Sequence, residues 1–275
     1  MTAPPMRPVT LVVEGARVEA AWWGEPRAAP VLVLLHEGLG SVGLWRDFPA
    51  RLAAATGRAV FAFSRFGYGG SDPRPLPWPI TYMHEEALEV LPRVLEAAGI
   101  GPHVLVGHSD GASIASIAAG RQGGADPQLA GLVLIAPHFF VEDMALEAIA
   151  AARVAYDEGD LRPRLARYHA NPDIAFRGWN LSWLAPGFRA FDLRDEVARW
   201  SVPALILQGG ADPYGTMAQP QFAERVARVP VRTRLLDEAR HAPHLETPEP
   251  ALAAILAFLA VGDEASGGKE VHYSA

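Results

Sequence analysis

The sequence predicts an α/β protein: a mostly parallel, eight-stranded, doubly wound sheet with a helical lid inserted between two of its strands. Three observations carry that reading. The runs "VLVLLH" (31–36), "AVFAFSR" (59–65), "HVLVGHS" (103–109), "GLVLIAP" (131–137), "ALILQGG" (204–210) and "VRTRLLD" (231–237) are short and mostly apolar, as strands covered on both faces are. Helical candidates at 44–56, 81–99, 111–121, 217–228 and 249–260 are interleaved with them, which demands crossover connections. Finally, about 65 residues at 138–202 interrupt this alternation without a clear buried strand.

Taken in order, "VTLVVEG" (9–15) and "RVEAAWWG" (17–24) flank a turn and predict an antiparallel hairpin. The six apolar strands and their helices follow. The insertion carries helical periodicity in "MALEAIAAARVAYDEG" and "LRPRLARYHA", then the aromatic stretch "FRGWNLSWLAPGFRAF". A segment of this length and composition predicts a cover over a site rather than a loop. The core is therefore expected at 1–137 and 203–261, the lid at 138–202. The polar segment "GDEASGGKEVHYSA" (262–275) is expected to be a flexible tail.

Composition narrows the function. The chain has 275 residues and a formal net charge of −7, which argues against nucleic acid or an anionic membrane as partner. No window approaches the ~18 apolar residues of a spanning helix, and "MTAPPMRPVT" has no apolar signal region, so the expected compartment is the cytoplasm. With no cysteine there is no disulfide framework, thiolate metal site or cysteine nucleophile. No metal-ligand spacing, Walker sequence or dinucleotide glycine motif follows a strand, so no metal or other cofactor is expected. The expected partner is a small molecule with an apolar part, and a homodimer is compatible with the sequence.

The sharpest motif is Gly107-His108-Ser109-Asp110-Gly111, a G-x-S-x-G at the end of an expected strand and the start of an expected helix. Such a turn strains the serine and needs small residues two positions to either side. It also puts Oγ at the positive end of a helix, where backbone N–H groups can meet an oxyanion. A serine nucleophile needs a base and an orienting acid, which follow it in this chain order. Asp212 in "LILQGGADPYGT" lies at a C-terminal strand end, where open α/β sheets place their sites. His241 in "DEARHAPHLETPE" is the expected base, and His244 is expected to pack against the last helix.

These segments resemble the α/β-hydrolases of the lidded esterase, lactonase and C–C hydrolase branch. The resemblance spans about residues 9–260 and rests on "LLHEGLGS", "SRFGYGGSD", "VGHSDGAS", "LILQGGADP" and "RHAPHLETPE". It implies Ser109 as nucleophile, His241 as general base and acid, and Asp212 holding the imidazole. It further implies an oxyanion hole from the backbone N–H groups of Asp110 and Gly38. Glu37 departs from the family in replacing a glycine, and Arg240 stands where a small residue is usual.

Around this triad, His36, Glu37, His138, Phe139, Phe140, Trp179 and Trp183 are expected to line the substrate pocket. Ser71 and Asp72 in "GYGGSD" read as turn residues. The Glu37 carboxylate, adjacent to the oxyanion turn, is expected to point away from the hole and pair with Arg65. In the rival reading, Glu37 and Asp110 converge and make the pocket acidic. The sequence points first to hydrolysis of a small ester, lactone or related acyl compound through an acyl-enzyme. C–C bond hydrolysis on the same triad, and a hydrolase scaffold that only binds a small molecule, are the alternatives.

Overall fold

An antiparallel hairpin opens the sheet: Met6–Val13 (β1) and Ala16–Trp23 (β2) turn at Glu14-Gly15, both with positive φ. In the computed structural model, which describes residues 2–26, 30–124 and 126–267, six more strands follow. They are Val31–Leu35 (β3), Val60–Phe63 (β4), His103–His108 (β5), Leu129–Ile135 (β6), Ala204–Gly209 (β7) and Val231–Leu236 (β8). The order across the sheet is β1-β2-β4-β3-β5-β6-β7-β8. β2 joins β4 antiparallel, and β4 through β8 pair in parallel along that order.

The apolar runs are continuous because both faces of the sheet are covered. Val31, Val33 and Leu35 enter one core while Leu32 and Leu34 enter the other, as side chains alternate along a strand. The chain steps from β3 outward to β4 and then returns to β5 on the other side of β3. The ends of β3 and β5 therefore flank a switch point, where open sheets form a crevice.

Helices α1 (Phe48–Thr56), α2 (Tyr82–Glu85) and α3 (Leu91–Ala97) precede β5, the last two joined by a π-helical turn at Glu86–Val90. Helix α4 (Asp110–Ala119) follows β5 directly and is almost wholly buried. Its alanines, serines and Gly111 let it lie close to the sheet: a Cβ at Gly111 would stand 1.9 Å from the Leu35 carbonyl oxygen.

Between β6 and β7 lie α5 (Asp143–Asp157), α6 (Leu161–Leu165), α7 (Pro172–Trp183), a 3-10 turn at Pro186–Ala190, and α8 (Arg194–Ala198). Helix α7 begins with Pro172, and the Asn171 side chain accepts from the Ile174 N–H at 3.1 Å, a capped start. After β7 come α9 (Ala218–Val226), α10 (Pro243–Glu246) and α11 (Pro248–Gly267). Helix α11 runs past the boundary expected at 261, since no proline interrupts 261–267 and its two glycines, Gly262 and the terminal Gly267, only weaken a helix. The rest of the expected tail, 268–275, lies outside the described residues. Among the described residues no helix is long and apolar enough to cross a membrane.

Candidate active site

Ser109 joins β5 to α4 with φ 52° and ψ −117°, a region that a non-glycine residue occupies only when the surroundings enforce it. A Cβ at Gly107 would lie 2.3 Å from the Gly111 carbonyl oxygen, so both positions two residues from Ser109 have no room for a side chain. The Ser109 N–H donates to the Ile135 carbonyl at 2.8 Å, tying the turn to β6.

Two further strand ends deliver side chains to this turn. His241, in the loop after β8, has Nε2 2.9 Å from Ser109 Oγ. Its Nδ1 stands 2.9 Å from both carboxylate oxygens of Asp212, which follows β7. An ionised carboxylate only accepts, so Nδ1 carries the proton and Nε2 is left to accept from the serine hydroxyl. Asp212 is fixed in turn by the Gln208 side-chain amide at 3.0 Å and the Tyr214 N–H at 2.8 Å. Burial opposes its ionisation, but the hydrogen bonds from His241 and the Tyr214 N–H act against this, and its carboxyl stays below the ordinary range. His244 instead packs against Trp45, Phe48 and His108 and is 2% exposed; burial holds its imidazole well below the usual value.

The turn after β3 faces Ser109. Arg65, itself buried, donates from its guanidinium to the carbonyls of His36 and Glu37, and its backbone N–H donates to His36 Nε2 at 3.1 Å. The turn is therefore pinned through its backbone. Trp179 of α7 lies against Gly38: a Cβ there would sit 2.2 Å from the indole Nε1. The Asp110 N–H, in the first turn of α4, has no intrahelical acceptor. It and Gly38 border the same cavity as Ser109.

Glu37 does not pair with Arg65 through its side chain; the two terminal guanidinium nitrogens donate to the two carbonyls instead. Its carboxylate turns to His108, with Oε2 3.6 Å from Nδ1. Glu37 and Asp110 border the same cavity, but the two carboxylates take different partners. The Asp110 carboxylate is 1% exposed and accepts from the Tyr82 hydroxyl and from Trp183 Nε1, the latter at 3.2 Å. Burial raises its pKa, with Arg65, Tyr82 and Trp183 acting against the rise.

The cavity at Ser109 has a volume of about 200 Å³. Glu37, Gly38, Asp110, His138, Trp179, Trp183 and His241 line it, together with Leu39, Ile149 and Tyr214. His138 is neutral there, since burial pushes its pKa down to about 3. Three residues expected in the pocket lie elsewhere. His36 is wholly buried beneath the turn, bonded to the Glu37 carbonyl and the Arg65 N–H. Phe139 is wholly buried in the core against Trp200 and Phe222, and Phe140 packs on Phe222 and bridges to Asp192. Tyr214, whose ring lies 4.5 Å from that of His241, is a lining residue that sequence reasoning misses; its place two residues after Asp212 is the signal that could have found it. Ser71 holds the Ser64 carbonyl and the Glu19 N–H, and Asp72 pairs with Arg17, both away from the cavity. A larger groove of about 520 Å³ runs beside Asp143, Glu147 and Arg189 but holds no nucleophile–base pair.

The sequence profile of the alpha/beta hydrolase family matches residues 32–255. The chain belongs to the α/β-hydrolase family. Solved structures agree with that membership at the level of fold. The enol-lactonase of Burkholderia xenovorans LB400 is similar with a TM-score of 0.70 and 19% identity, over 92% of this chain and 100% of that one. Carboxylesterase CesB of Bacillus subtilis gives a TM-score of 0.68 at 21% identity, over 93% of this chain and 92% of that one. A proline iminopeptidase of Mycobacterium smegmatis gives 0.67 at 20% identity, over 94% and 100%. Among curated proteins none matches the chain in sequence. As a member of this family, the protein is a hydrolase.

Proposed function

We propose that this α/β-hydrolase is a serine hydrolase that cleaves a small ester, lactone or related acyl compound through an acyl-enzyme. The observation that carries the reading is the unbroken relay from Ser109 Oγ through His241 to Asp212, with both links at 2.9 Å. His241 takes the Ser109 proton, Oγ attacks the carbonyl carbon, and the N–H groups of Asp110 and Gly38 receive the oxyanion. His241 then gives its proton to the leaving group, and a water activated by the same imidazole hydrolyses the acyl-enzyme. Asp212 holds the tautomer and stabilises the transient imidazolium.

The inserted helices act as the lid over the acyl group. Trp179, Trp183, Ile149 and Leu39 give the cavity apolar walls, and about 200 Å³ suits a short acyl chain. A panel of p-nitrophenyl esters and lactones graded by acyl length tests the reading, with Ser109→Ala as the blank. Short esters or lactones are expected to turn over, and Ser109→Ala is expected to fold normally and lose ~10³–10⁶ in kcat. Full activity in Ser109→Ala would remove the serine from the mechanism. A chromogenic vinylogous 1,5-diketone in the same panel reports C–C bond hydrolysis.

A further inference from the structure

We propose that His138 selects the substrate: its imidazole hydrogen-bonds a hydroxyl group carried by the acyl part, close to the scissile carbonyl. The inference rests on the serine-hydrolase reading above and adds to it the class of acyl group.

His138 follows β6, where the chain leaves the sheet for the inserted helices. Ala136, two residues before it, has a φ of 47°, a conformation that a residue with a side chain keeps only when its surroundings enforce it. The Ala136 N–H donates to the Leu207 carbonyl at 2.8 Å. The His138 carbonyl accepts from Ser113 Oγ at 2.7 Å, and the Phe139 N–H donates to Gln219 Oε1 at 2.7 Å. With the backbone fixed on both sides, the ring stands nearly perpendicular to Trp183, centroids 5.1 Å apart, and 5.8 Å from the ring of His241. It borders the cavity at Ser109 beside both the base and a residue of the apolar wall.

The ring lacks a partner that the fold could have supplied. Its Nδ1 is buried and has no hydrogen-bond partner among the described residues. The other buried side-chain nitrogens and oxygens in that condition belong to residues that do not border this cavity. The remaining polar side chains on the wall have other roles. Asp110 accepts from Tyr82 and Trp183, the Glu37 carboxylate turns to His108, and the Tyr214 ring lies against His241. An unpaired buried nitrogen costs stability, and a substrate that fills the cavity can restore the missing bond.

The state of the ring defines what it can take. Burial, with His241 acting in the same direction, keeps the imidazole uncharged, so it has one N–H and one lone pair. It offers no counter-charge to a carboxylate or an ammonium group, and the Arg65 guanidinium is turned to the carbonyls of His36 and Glu37. A hydroxyl both donates and accepts, so it fits the ring in either tautomer. An uncharged ring also leaves the transient His241 imidazolium unopposed. A site built to bond a substrate hydroxyl penalises the analogue that lacks it, because the buried ring then stays unpaired.

The test is a matched set of p-nitrophenyl esters with one leaving group: butyrate, 2-hydroxybutyrate and 3-hydroxybutyrate. In the wild type, kcat/KM for one of the hydroxy esters is expected to exceed that for butyrate by about tenfold or more. In His138→Leu, which keeps bulk and removes both ring nitrogens, that ratio is expected to fall to about one. In His138→Asn, whose amide can donate and accept, it is expected to recover in part. A role in packing alone would lower all three esters together and leave the ratio unchanged. A wild type that prefers neither hydroxy ester over butyrate, or a preference that survives in His138→Leu, overturns the proposal. Turnover of butyrate without the preference refutes the recognition alone. A wild type that hydrolyses none of the esters and takes up no fluorophosphonate refutes the serine-hydrolase reading with it.

Discussion

At Gly111 one hydrogen atom in place of a methyl decides whether α4 can reach β3. With 1.9 Å between a Cβ at this position and the Leu35 carbonyl oxygen, Gly111→Ala must push the helix off the sheet. We expect it to lower the thermal midpoint by several degrees, a cost of about 1–3 kcal/mol or more. Gly262 in α11 is the contrast: among the described residues, nothing beyond its chain neighbours and its own helix backbone lies within 4 Å of a Cβ there, and Gly262→Ala is expected to hold or raise the midpoint, by up to ~1 kcal/mol. Calorimetry of the two variants side by side checks both signs. Ser109, Asp212 and His241 were legible in the sequence because each signal is local: a glycine-flanked serine, an Asp-Pro turn at a strand end, a histidine after the last strand. The partner of Glu37 was not, because His108 approaches it from a different strand and only the register of β3 against β5 brings them together.

Among the elements, the inserted helices supply Ile149, Trp179 and Trp183 to the cavity at Ser109. Helix α7 presents Trp179 against Gly38 and Trp183 to Asp110 and Tyr82, so one helix both narrows the cavity and fastens itself to the core. Trp179→Ala is expected to enlarge the cavity and move the preferred acyl length upward by two or more carbons (about 0.8 kcal/mol per methylene buried). An unchanged acyl-length profile of kcat/KM would show that Trp179 does not bound the acyl site. The existence of this insertion was readable from its length and periodicity. Which of its aromatics face the cavity was not: Phe139 and Phe140, adjacent in sequence, both turn to Phe222 and away from Ser109, a choice made by packing.

Across the whole molecule, neutral histidines buried in the fold make its stability depend on pH. Burial holds His36 and His244 well below their ordinary value, and His138 falls from 6.5 to about 3. The unfolded chain binds protons at these sites as pH drops below about 6.5 while the folded protein does not, so stability is full above that pH and declines on acidification. The thermal midpoint is expected to fall steadily from pH 7 to pH 5, and His138→Asn is expected to flatten the slope. A midpoint constant over that range would mean that these rings are protonated or solvated in the fold. The doubly wound, mostly parallel sheet followed from alternating apolar runs and helices; the order of its strands comes from the fold. The boundary at 261 did not, since the polarity that marks a tail does not by itself end a helix.

The serine-centred chemistry is tested most directly by intact mass measurement after reaction with a fluorophosphonate. One adduct per chain is expected, on the peptide that contains Ser109, formed slowly in Asp212→Asn and not at all in Ser109→Ala or His241→Ala. A wild-type protein that takes up no adduct, or takes it up at another residue, contradicts the assignment of Ser109 as the nucleophile.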